Sequence, residues 1–183
     1  MYRKRYRELF SIRTTTDPRT GKTRRQASYT GPYYHIKALR ASRTRWGVGM
    51  ASALIVVSAV LLGYLFTDLP GTHSPIVLPF ALMLPLPLFY WGLGVFNTLR
   101  LTQRVTQPQL EESVLRVKRS ATGAAVLCAL YAVGAAALVL SGGAGGRWPA
   151  EAAFAAGMLA AGIVSLLAAK AARRLAAGKE VLP

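Results

Sequence analysis

Apolar and polar positions along this chain fall into long blocks instead of alternating. Four stretches, at about 47–66, 75–99, 121–141 and 150–169, together hold a single charged residue, Glu151. At 1.5 Å per residue, a helix of about 20 residues covers about 30 Å, the thickness of a bilayer's hydrocarbon. The pattern therefore predicts four transmembrane helices. The first, GVGMASALIVVSAVLLGYLF, has Trp46 at one end and Tyr64 and Phe66 at the other. Aromatic side chains in those places anchor a helix at headgroup depth.

The second block, PIVLPFALMLPLPLFYWGLGVFNTL, carries four prolines. Pro75 is placed to open the helix. Pro79, Pro85 and Pro87 lie inside, where each removes a backbone donor and crowds the preceding turn. A kink or break is expected near Leu84 to Pro87. The third and fourth blocks are rich in alanine and glycine. Ala121, Ala125 and Ala129 recur every four residues, as do Ala153, Gly157 and Ala161. Small residues at that spacing let helix backbones approach closely, first within the chain and then between copies.

Charge adds a direction. The chain has 183 residues, 16% of them charged against about 25% in soluble domains, and a net charge of +16. Of its 23 lysines and arginines, all but Arg147 precede the first block, separate the second from the third, or follow the fourth. With an even number of spans these segments share one side. The positive-inside rule makes that side the cytoplasm. The expected fold class is thus all-α: a polytopic membrane protein with four transmembrane helices and both termini inside. A basic segment, 1–46, precedes the helical domain, 47–169, and a basic tail, 170–183, follows it. The opening MYRKRYRELFSIR has no apolar core and does not read as a cleavable signal peptide. The short outer loops fit a bacterial inner membrane.

The polar segments have some structure of their own. FSIRTTT, the turn-forming DPRTGK and TRRQASYT predict a small β-hairpin. Pro32 is placed to open a short interfacial helix leading into the first span. QPQLEESVLRVKR, from Gln107 to Arg119, predicts an amphipathic helix running into the third span, with Glu112 and Arg116 spaced as an i,i+4 pair. Contacts with anionic lipid or an acidic partner are expected from Arg3, Lys4, Arg5, Arg7, Arg24 and Arg25. Tyr33, Tyr34, Lys37, Arg40, Arg43, Arg45 and Trp46, rings beside cations, suit the headgroup region. The same mixture can stack on bases, but its place next to a span disfavours nucleic acid.

No catalytic, cofactor or metal site is expected. His35 and His73 fall on opposite sides, and His73 with Asp68 is short of the three or four ligands a useful site needs. Ser58 and Ser165 have no base beside them in sequence. No charge lies at mid-depth in any span, against the usual requirement of ion-coupled transport. Cys128, alone, reads as a small packing residue. The reading is a non-catalytic accessory or structural subunit, assembling with another membrane protein or with itself. The alternative is a small oligomeric transporter or channel that uses the proline-broken span.

Overall fold

The computed structural model describes residues 9–16, 23–101, 104–177 and 179–182. It is mostly helical, and four helices are long and apolar enough to cross a membrane. These spans are Thr44–Leu65, Leu78–Arg100, Gln107–Leu140 and Gly145–Ala176. Only 22% to 39% of the most apolar window of each is buried within the chain. Ile55, Leu62, Leu86, Phe89, Val133 and Ile163 all point outward. A surface so apolar suits lipid rather than water.

Helix α1, Lys37–Leu65, continues the first span inward by two turns. Strand β3, Tyr33–Ile36, stands where the sequence reading put an interfacial helix after Pro32. The correction has a physical cause: these residues pair with two strands remote in sequence, which local pattern does not register. The chain then crosses to a four-residue turn of helix, α2, Pro70–His73. Residues 75–77 form a turn, so the second span opens at Leu78 with Pro79 in its first turn, not at Pro75. That span consists of α3, Leu78–Met83, and α4, Pro85–Arg100, divided at Leu84. Backbone at Leu84 remains helical, and its N–H reaches the Ala81 carbonyl at 3.3 Å. The interruption is thus a break in the hydrogen-bond ladder in front of Pro85, where the missing donor predicts it.

The third span is one continuous rod. Helix α5, Gln107–Leu110, passes through a π-helical turn, Glu111–Leu115, into α6, Arg116–Leu140. Thr106 starts it with a capping box: Thr106 N–H donates to Gln109 Oε1 at 3.0 Å, and Gln109 N–H to the Thr106 hydroxyl. The rod has 34 residues, so it is about 51 Å long and outreaches the hydrocarbon. Its charged first turns stand beyond the apolar block that begins at Ala121. The π turn also shifts the register of side chains. Among the described residues, Glu112 and Arg116 make no ion pair, because i,i+4 spacing no longer stacks them. Helix α7, Trp148–Ala177, is the fourth span.

Helices α6 and α7 meet along a seam of small residues. Ala121, Ala124, Ala125, Cys128, Ala132 and Ala135 are buried on α6; Ala161, Ser165, Ala168 and Ala172 are buried on α7. A side chain at Gly162 would stand 3.3 Å from Cys128 Cβ. This close approach gains dispersion contacts that larger residues would block. Trp91, Tyr64 and Tyr131 are the largest fully buried side chains.

Two small sheets complete the chain. Strand β1, Phe10–Thr16, pairs antiparallel with β2, Thr23–Tyr29; the DPRTGK turn lies outside the described residues. Strand β3 is the centre of a three-stranded sheet, flanked antiparallel by β4, Arg104–Thr106, and β5, Lys179–Leu182. The segments before the first span, between the second and third, and after the fourth therefore meet at one end of the bundle. The basic tail, 170–183, finishes α7 and supplies β5.

Candidate functional site

The basic end carries a cleft between α4 and the third span. Its shape follows from where α4 and α6 can touch. They cross most closely at Gly94, where a Cβ would stand 2.7 Å from Val117 Cγ2, 3.0 Å from the Val117 nitrogen and 3.1 Å from the Ser113 carbonyl. Only glycine permits that approach. The π turn is held to α4 by Asn97, whose Nδ2 donates to the Glu112 carbonyl at 3.1 Å. Beside this crossing, a cleft of about 480 Å³ lies open between them.

One wall is Leu86, Pro87 and Tyr90 of α4; the other runs from Glu111, Glu112, Arg116 and Arg119 to Ser120 and Gly123. At Gly123 a Cβ would lie 3.8 Å from Pro87 Cβ, so the missing side chain leaves the apolar end open. Ser120 is already engaged, its hydroxyl donating to the Arg116 carbonyl at 2.7 Å. The cleft thus has a charged mouth and an apolar floor. A smaller hollow of about 210 Å³, lined by Asn97, Arg100, Leu101, Gln109 and Glu112, adjoins it through Glu112. Arg100 lies over the Phe96 ring, 3.9 Å from its centroid, a cation–π contact suited to headgroup depth.

No protein-family model, curated protein or solved structure matches this chain.

The residues expected to contact lipid or a partner are distributed as follows. Arg3, Lys4, Arg5 and Arg7 lie outside the described residues. Arg24 and Arg25 are on β2, and Lys37, Arg40 and Arg43 on the first turns of α1. Tyr33 and Arg45 are exposed, Tyr34 and Trp46 half-buried. Tyr29, another of the aromatic residues interleaved with these cations, fastens the β1–β2 pair to the bundle. Its hydroxyl donates to the Pro32 carbonyl at 3.1 Å and accepts from the Gln107 N–H at 3.2 Å. Its ring meets Phe10 and Tyr33 edge-on, at 5.3 and 5.2 Å.

Among the expected packing residues, Ala125 and Ala161 are buried in the α6–α7 seam, and Gly157 faces Val60. Ala129 and Ala153 are exposed. Of the expected kink residues, Pro85 and Pro87 begin α4 and Pro79 begins α3. Pro87 alone lines the cleft.

The opposite end holds a second group that sequence reasoning missed. Glu151 lies in the first turn of α7, as expected, but it is fully buried. Its Oε2 accepts from the Gly71 N–H at 3.3 Å. Tyr64 of α1 and Tyr131 of α6 close over it, rings 4.9 Å apart and edge to face. Glu151 Oε1 and both phenol hydroxyls make no hydrogen bond among the described residues. Above this group the two loops are tied at the surface. Asp68 Oδ1 pairs with His73 Nε2 at 3.0 Å, and Arg147 Nη1 donates to Asp68 Oδ2 at 3.1 Å and to its backbone carbonyl. This gives Arg147, the one arginine at this end among the described residues, a partner. Hydrogen bonds from His73 and then Arg147 hold the Asp68 carboxyl below its ordinary range. The folded value is depressed, so the tie is complete above the ordinary range and is lost as pH falls through the lowered value. In a pH titration of the Asp68 carboxyl by carbon-13 NMR in micelles, Arg147→Gln should move the midpoint part-way back up. An unmoved midpoint would show that Arg147 contributes nothing there.

Proposed function

We propose that the chain is a non-catalytic multi-pass membrane protein, an accessory or structural subunit that assembles with another membrane protein or with itself. The observation that carries this reading is the β4–β3–β5 sheet, which gathers the basic segments at one end of the bundle. By the positive-inside rule that end lies in the cytoplasm, and the short loops fit a bacterial inner membrane. The gathered charge then meets anionic headgroups or an acidic partner surface. Strand β1 leaves Ile12 70% exposed and Phe10 41% exposed beside that charge, an apolar patch that a partner surface would cover. Within the bilayer Ala125 and Ala161 already serve the chain's own seam. Of the small residues singled out in the sequence, Ala129 and Ala153 face outward, where a partner helix can meet them.

A pull-down of the tagged full chain in mild detergent, read by native mass spectrometry, tests this. A defined complex with a second membrane protein, or a homo-oligomer of fixed stoichiometry, is the expected result. A monomer with nothing attached overturns it. The cleft bordered by Pro87 favours a second reading, an oligomeric transporter, and a homo-oligomer that also conducts solute flux in liposomes would place that reading first.

A further inference from the structure

We propose that the cleft between α4 and α6 binds one phospholipid with a zwitterionic, primary-amine headgroup of the ethanolamine type. The phosphodiester sits on Arg116 and Arg119, the ammonium on Glu112, and one acyl chain lies against Leu86, Pro87 and Gly123.

Three observations lead there. The cleft's volume, about 480 Å³, falls in the range of ligand pockets and is too small for a partner helix. Its two ends differ in kind: a charged mouth at the level of the basic end, and a floor of proline, leucine and bare glycine backbone within the span. That sequence of surfaces is the profile of a lipid from head to tail. The third observation is charge. The chain as a whole carries +16, yet among the described residues the mouth holds two arginines and two glutamates, so both signs of charge border it. Anionic lipid is attracted everywhere on the basic end and gains no particular advantage in this cleft. A headgroup carrying both signs does, because arginine grips phosphate through paired N–H donors and a carboxylate accepts from an ammonium. Glu112 borders the cleft and the adjoining hollow, and its backbone is fixed by Asn97. The carboxylate is thereby presented on a rigid turn rather than on a free surface helix.

The inference rests on the membrane reading of the helices, and not on which partner the basic end meets or on the side it faces. Its failure would therefore leave the pull-down result untouched. The test presents the full chain in mild detergent with equal amounts of dioleoyl phosphatidylethanolamine, phosphatidylcholine and phosphatidylglycerol, and reads bound lipid by native mass spectrometry. One phosphatidylethanolamine per chain is expected, favoured about tenfold over phosphatidylcholine, as the charge-assisted N–H bonds that choline cannot make would give. Glu112→Gln should abolish that preference while leaving phosphodiester binding. Arg116→Gln with Arg119→Gln should weaken all three lipids in parallel. Arg173→Gln, exposed on α7 and outside the cleft, should leave the preference unchanged. Equal retention of the three lipids, preference for phosphatidylglycerol, or an unaltered preference in Glu112→Gln would each overturn the proposal.

Discussion

Replacing Trp91 by alanine should destabilise the bundle more than any other single truncation, by about 3–5 kcal/mol. Trp91 is the largest of the fully buried side chains and sits on α4 at the centre of the apolar cluster. Its indole N–H makes no hydrogen bond among the described residues, so what the substitution removes is packing. In a bilayer the unfolded reference already keeps the ring among lipid tails, and the transfer part of the loss shrinks. The cavity part remains, because α4 is pinned at Gly94 and cannot close in. The result should therefore fall toward the lower bound, near 3 kcal/mol. Trp91→Phe, keeping much of the volume, should cost clearly less. Denaturant unfolding in micelles measures both. A loss below about 1 kcal/mol for the alanine variant would mean that the site collapses freely.

The second large effect lies at the opposite end. A methyl group at Gly71 would overlap Glu151 Oε1 and stand 2.9 Å from the Tyr64 hydroxyl. The carboxylate has nowhere to move: it is fully buried, and Tyr64 and Tyr131 flank it. Gly71→Ala should cost about 1–3 kcal/mol for overpacking, with the Glu151 hydrogen bond lost besides. The diagnostic quantity is the coupling. In the Glu151→Ala background the same methyl group finds room, and most of its cost should vanish. A double-mutant cycle on thermal or denaturant stability should return a coupling of about 1–3 kcal/mol. Additive losses would show that the two residues do not share a site.

How far the sequence carried this picture varies from element to element. The first span was plain, since nothing charged interrupts Gly47 to Phe66 and aromatics mark both ends. The break before Pro85 was legible for a local reason, a missing donor. The start of the third span was legible as well: the segment from Gln107 to Arg119 read as an amphipathic helix running into it, and the helix does run from Gln107 through Arg116, Lys118 and Arg119. The Thr106-to-Gln109 capping box marks that start. The three-stranded sheet escaped because β4 and β5 have three and four residues, too few to display a period. Glu151 was placed correctly in a first turn, but its burial comes from residues on three other elements. The cleft is lined from two helices that meet at Gly94, and no spacing along the chain encodes that meeting.

The order of the strands has a consequence for how the molecule is made. The centre of the sheet, Tyr33–Ile36, is synthesised before any span, and its flanking strands emerge only after two and four crossings. One edge of β3 thus stays open until two helices have been delivered, and the other until all four have. If one helix failed to enter, the final strand would end on the far side with no route to its edge. Closure of this small sheet is therefore a checkpoint: it fails in any chain that has lost a single crossing.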